Sequence, residues 1–375
     1  ETLVLSGDGS VSDENVGTNK TIGVDTLSLA DGANGGIASN YTLAGGTHLL
    51  TINKAVISIT GTRQYDGSTN ALPADLSLNN LQGGENLTLT GNGTISDKNV
   101  ATGKTLDVSG LTLGNGSGGT PGLSSNYKLD GGTHTFNVTK KDITFSGSRV
   151  YDGTTTVSSS DLVTNDTTSG ETLTFSGSGT VSSANVQNNQ SITLGSIAIA
   201  DGSGGGLASN YNLTTGTFDI SQKWVSVGGQ KIYDATTTVS SSDLEVTGEV
   251  TGESISITGT GSVTDKNVGS GKTIDISGLS LSDGSHSASN YTIGTTSFAI
   301  TRRNLSISGE KVYDGTGTVL ASQIDTVNTA GGETLTISGE GSVSLPSVGT
   351  NKSITLNTCL LYTSPSPRDQ PVSRM

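Results

Sequence analysis

A block of about eighty residues recurs along this chain, and it restricts the fold more than any single residue does. Tyr-Asp-Gly, or Tyr-Asp-Ala in one copy, begins at Tyr65, Tyr151, Tyr233 and Tyr313, while Ser-Asn-Tyr ends at Tyr41, Tyr127, Tyr211 and Tyr291. Such a period marks an array of similar modules. It points to serial structure and away from a single active site.

Junctions placed at the basic residues Lys54, Lys140, Lys141, Lys223, Arg302 and Arg303 give complete modules at 54–139, 140–221 and 222–301. Residues 1–53 supply the C-terminal part of a module, and 302–358 the N-terminal part of another. The chain starts inside a module without an initiator Met, which reads as a piece of a longer protein. Residues 359–375 hold the only Cys, the only Met and three of the six prolines. They resemble translated sequencing adapter and are read as a non-native tail.

Within each module, short segments alternate apolar residues with Ser, Thr or Asp, giving every strand one apolar and one polar face. Ile57-Ser-Ile59, Leu87-Thr-Leu89 and Phe136-Asn-Val138 are answered in the next module by Ile143-Thr-Phe145, Leu173-Thr-Phe175 and Phe218-Asp-Ile220. Helical spacing is absent apart from one turn around Ser158 to Asp161. One-faced strands between Gly and Asn turns predict an all-β fold, a tandem array of antiparallel β-sandwich modules, immunoglobulin-like or related. The alternative is a β-solenoid, whose shorter coil period is not found inside the block. From each Tyr of Tyr-Asp-Gly to Val100, Val186, Val268 or Val348 the distance is 35 residues in all four copies. Length changes gather instead in the Gly-rich loops near Asp31, Gly114, Asp201 and Asp283, as expected of solvent-facing segments. No flexible linker separates one module from the next, so bending between them is expected to be restricted.

A formal net charge of −14 disfavours nucleic acid, which is bound by neutralising phosphates with basic residues, and disfavours an anionic membrane surface too. No apolar run is long enough to insert in a membrane as a helix, and the modules lack cysteine for disulfides or thiolate metal sites.

Eight of the nine tyrosines lie in the two motifs. They are expected to be the large buried side chains, their hydroxyls bonding backbone across a corner as in other sandwich domains. Asp66, Asp152, Asp234 and Asp314, each after a motif tyrosine, read as turn caps. Asp97 and Asp265, with Asp31, Asp201 and Asp283, are the candidates for calcium, which takes six to eight hard oxygen ligands. Against that, Ser183 and Leu345 replace the first position in other copies, and turn capping accounts for each residue singly. The Gly-x-Gly runs precede strands, so they lack the helix N-terminus that would receive a phosphate. His48, His134 and His286 have no recurrent nucleophile or carboxylate partner, and no catalysis is expected. Trp224 reads as packing at a junction.

Tyr-Asp-Gly-Thr-Thr-Thr at 151–156, Asp-Lys-Asn-Val at 97–100 and 265–268 with a following Gly-Lys-Thr, and Ser-Asn-Tyr occur in this order. On these motifs residues 1–358 resemble the bacterial YDG repeat family, which is close to the Gly-rich MBG repeats. The resemblance implies tandem β modules forming the stalk of a large secreted adhesin of filamentous-haemagglutinin type at the bacterial cell surface, without catalysis or cofactor. The expected partners are neighbouring repeats of the same chain. A second reading gives the Gly-rich loops a role in recognising host glycan or protein.

Overall fold

The computed structural model describes residues 1–168 and 170–363, with side chains through Asn357. Every described element is a strand or a single turn of 3-10 helix, so the fold is all-β. The chain forms two compact units. The first comprises Glu1–Gly147, Thr156–Thr180 and Ser191–Thr217, and the second Ser148–Thr155, Val181–Gln190 and the chain from Phe218 onward.

Module 222–301 lies wholly in the second unit. Its opening strand, Lys223–Ile232, is flanked by Leu244–Thr247 and by the closing strand Tyr291–Thr301, beyond which lies Gly269–Lys272. Thr238–Ser240, Ile255–Val263, Ile274–Asp275 and Leu279–Asp283 form a second sheet. Alternation along the closing strand buries Phe298 and Ile300, which join Val227, Val239, Ile257, Val263, Ile274 and Leu279 in one cluster. The apolar face of each sheet is thereby removed from water, which is what a pattern of period two demands.

In the first unit, Ser58–Gln64 and His134–Thr139 are the opening and closing strands of module 54–139. Ala101–Asp107 pairs with the closing strand at one end and with Gly93–Ile95 at the other, so a single six-stranded sheet results. A continuous core runs from Ile59, Leu106 and Phe136 of this module to Ile143, Leu173 and Tyr211 of the next. Only Lys140 separates Thr139 from the strand beginning at Lys141.

Pairing departs from the all-antiparallel expectation at one recurrent place. Opening and closing strands run parallel, His134 beside Ile59 and Phe298 beside Gly229. Gly and Asn turns fix the direction only of strands adjacent in sequence. Opening and closing strands are joined by nearly the whole module, which is the long crossover that parallel pairing requires.

The turn read near Ser158 is a 3-10 turn at Ser159–Asp161. Others precede the motif tyrosines at Ala38–Asn40, Ser124–Asn126, Ala208–Asn210 and Ala288–Asn290. In the last module the backbone of residues 359–363 belongs to the strand Ile354–Thr363, and the remainder of the tail lies outside the described residues.

Candidate functional site: the joint between successive modules

The two sequence motifs turn out to be halves of one joint. Tyr65, at the end of the opening strand of module 54–139, donates its hydroxyl to Glu171 Oε1 of the next module at 2.6 Å. Tyr211, from Ser-Asn-Tyr of that next module, donates to Glu171 Oε2, also at 2.6 Å. The two rings meet edge to face with centroids 5.4 Å apart, a favoured aromatic geometry. Lys98, from Asp-Lys-Asn-Val of the first module, pairs with Glu171 Oε1 at 2.5 Å. Tyr211 also accepts the Thr168 N–H at 3.1 Å, so its hydroxyl both gives and takes.

Burial pushes the Glu171 carboxyl upward, but the Lys98 ammonium and the hydroxyls of Tyr211 and Tyr65 outweigh it and hold the group below its usual value. Glu171 is therefore an anion at neutral pH. That state suits the site, because a carboxylate accepts from three donors at once while a carboxylic acid competes with them.

A second bridge lies beside the first. Asn210 Oδ1 accepts the Val100 N–H at 2.9 Å, and its Nδ2 donates to Asn99 Oδ1 at 3.0 Å. The same pair of bonds joins Asn126 to Val16 and Asn15, and Asn290 to Val186 and Asn185. Ser-Asn-Tyr thus uses both polar atoms of its Asn side chain to hold the Asn-Val of the preceding module.

Other copies of the joint show which parts can vary. In the second unit Glu253 takes Tyr151 at 2.9 Å and Tyr291, whose rings again lie 5.4 Å apart. Ala184 stands where Lys98 does, so this copy has no ammonium from that position. Glu333 takes Tyr233 and Lys266. Glu85 takes Tyr127, and Glu1 takes Tyr41, which is half exposed. Tyr313 is 63% exposed. Motif tyrosines are therefore buried where a joint is complete, and their hydroxyls face a carboxylate. The hydroxyls of Tyr127, Tyr211 and Tyr291 do bond backbone, accepting the N–H groups of Gln82, Thr168 and Val250, and what the sequence reading missed is the glutamate that accepts from them. Its recurrence two residues before the first apolar residue of a strand, at Glu1, Glu85, Glu171, Glu253 and Glu333, was the available signal.

The Asp of Tyr-Asp-Gly closes the turn. Asp66, Asp152, Asp234 and Asp314 accept the N–H two residues on, at 2.8 to 3.0 Å. Each also pairs with a cation three residues earlier, Arg63, Arg149, Lys231 or Lys311. Gly67 and Gly153 follow with φ near +78°, and a Cβ there would press on Thr168 or Glu253 of the next module. Glycine is required twice over, for the left-handed backbone and for the close approach. Ala235 adopts φ 63° in the third copy, at a cost of about 1 kcal/mol.

Asp97 and Asp265 are occupied by protein groups. Asp97 accepts the Asn99 N–H and pairs with Lys104 at 2.8 Å, and Asp265 does the same with Asn267 and Lys272. Asp31, Asp201 and Asp283 accept N–H groups of Ala38, Ala208 and Ala288, closing the Gly-rich loops. The two sets are not brought together. No group of three or more potential ligands forms among the described residues.

Of the histidines, His48 and His134 bond carbonyls of Leu43 and Leu129, and His134 Nδ1 accepts the Ile59 N–H. His286 has Ser285 Oγ at 3.0 Å from Nδ1 and Glu253 at 3.9 Å from Nε2, neighbours the sequence did not suggest. Glu253 is already held by two tyrosines. Trp224 is 75% exposed with its ring against Gly294, so the packing role expected of it is confined to one face.

Alkali should open the joint around Glu253. Burial first, and the bond to Glu253 second, push the hydroxyls of Tyr151 and Tyr291 up to about 12. The folded state prefers the neutral phenol, so its contribution is complete below the ordinary tyrosine range near 10 and is lost as pH rises through about 12. Ultraviolet titration of tyrosinate should show a late-ionising component that shrinks in Tyr151→Phe. An unchanged late component in that variant would contradict the assignment.

A family model described as the YDG domain matches residues 50–136, 135–218, 222–298 and 301–365. No curated protein matches the sequence. With four successive matches over most of its length, the chain belongs to the YDG domain family.

Proposed function

We propose that these modules are the stalk repeats of a large secreted bacterial surface adhesin, extracellular in location, which hold a binding tip away from the cell and perform no catalysis. The observation that carries this reading is the joint itself. Tyrosine, glutamate and asparagine recur at successive junctions, so each module presents its Tyr-Asp-Gly and Asn-Val side to one neighbour and its glutamate and Ser-Asn-Tyr side to the other. A unit built this way extends in series without limit, and its stability is a sum of module and interface terms. The acidic balance favours solubility of a long exposed array. Family membership agrees with repetition and supports the reading to that extent.

Scattering from the whole chain and from a chain lacking residues 140–221 tests it. The deletion places Tyr65 and Lys98 against Glu253 and Tyr291, the same parts in a new pairing. The maximum dimension is expected to fall by about one strand length of eleven residues, roughly 35 Å. A compact particle whose dimension barely changes would overturn the stalk.

A further inference from the structure

The joints at Glu171 and Glu253 differ in what stands beside one carboxylate oxygen. Oε1 of Glu171 accepts from Tyr65 and from Lys98, which the preceding module supplies. Oε1 of Glu333 is filled in the same way by Tyr233 and Lys266. Oε1 of Glu253 accepts from Tyr151, and the ring of His286 brings Nε2 to 3.9 Å from it. This histidine comes from the Gly-rich loop of the module that carries the glutamate, so the third group arrives from the other side of the joint.

Lysine and loop side chain compete for one space. At the Glu171 joint a Cβ built on Gly205 of the loop would lie 3.6 Å from Lys98 Nζ, so the ammonium already occupies the room that a side chain there would enter. At the Glu253 joint the loop is two residues shorter, closing from Asp283 onto Ala288 where the other closes from Asp201 onto Ala208, and it directs His286 at the same oxygen. Half-buried Ala184 takes the lysine position. The backbone beside it is held alike in both joints, Asn290 bonding Val186 and Asn185 as Asn210 bonds Val100 and Asn99. Position 184 therefore addresses Glu253 as position 98 addresses Glu171.

We propose that these joints are keyed. The place beside Oε1 is filled once, by a lysine of the preceding module facing a glycine loop, or by a loop histidine facing alanine. A pair of modules that brings both lysine and histidine crowds two side chains onto one oxygen, and this rejection of the wrong neighbour specifies which module follows which. Lys98, Gly205, Ala184 and His286 are the residues that set the match.

Double-mutant cycles on the whole chain test this, read by hydrogen exchange of the Val186 amide, which is bonded across the joint to Asn290. Ala184→Lys alone is expected to speed this exchange or leave it unchanged, because His286 holds the place. Combined with His286→Gly, the same substitution should slow exchange, with a coupling of at least about threefold in rate. Loop flexibility added by glycine enters both backgrounds and cancels. At the other joint Gly205→His should speed exchange of the Val100 amide, and by less when Lys98→Ala accompanies it; the strain of a side chain at φ +85° is the same in both. Unchanged protection of the closing strand Tyr291–Thr301 shows that the module itself stays folded. Additivity in either cycle, or slower exchange in Ala184→Lys with His286 in place, overturns the keyed joint.

Discussion

Glu171→Ala is expected to destabilise the joint between modules 54–139 and 140–221 by about 3 kcal/mol. The substitution leaves the hydroxyls of Tyr65 and Tyr211 without their acceptor, and both side chains are 1% exposed. Two buried hydroxyls at about 1 to 2 kcal/mol each make up nearly the whole effect. Little is added by Lys98, because its side chain is 33% exposed and water takes over its ammonium. In a serial array the loss falls on an interface term, so the unfolding curve should separate into an early and a late transition where the parent shows more cooperative melting. Glu85→Ala, which strands Tyr127 alone, should cost about half as much. If Glu171→Ala and Glu85→Ala melt like the parent, the carboxylate is not what holds the joint.

Acid should weaken a joint as alkali does, but through its glutamate and not through its tyrosines. The Glu171 carboxyl titrates below its usual value in the folded chain, so its contribution is present above the ordinary glutamate range and is lost as pH falls through the lowered folded value. The joint is therefore most stable between the ranges in which glutamate is protonated and tyrosine ionised.

Much of the module was legible from period-two alternation, because strands with one buried face leave no freedom in which residues point inward. Phe136, Val138, Phe218, Ile220, Phe298 and Ile300 all lie where that pattern puts them. Parallel pairing of opening and closing strands was not legible, since no local turn specifies the register of segments some sixty residues apart. The joint was half legible. Its tyrosines stood out as aromatic residues in an aromatic-poor chain, but Glu171 acts on Tyr65 across 106 positions of sequence, and distance of that kind leaves no local spacing to read. The partners of Asp97 and Asp265 were not legible either: each carboxylate accepts from the lysine seven residues on, a pairing that the two turn motifs do not announce.

Asn210→Ala should weaken the same joint by about 2 to 3 kcal/mol through a different mechanism. Asn210 has no exposed surface, and its amide satisfies the Val100 N–H with one atom and Asn99 Oδ1 with the other. Alanine fills neither role, so the half-buried Val100 N–H loses its protein partner. Asn210→Asp is predicted to be worse than alanine. Its carboxylate still accepts from Val100 but turns an oxygen toward Asn99 Oδ1, replacing an attraction by a repulsion in a buried place. Hydrogen exchange reports on the critical atom directly. The Val100 amide should exchange faster in both variants, with Asp exceeding Ala, while amides of the closing strand His134–Thr139 keep their protection. A Val100 amide as slow as in the parent would mean that the asparagine bridge is a bystander, and the joint would then rest on the tyrosines and glutamate alone.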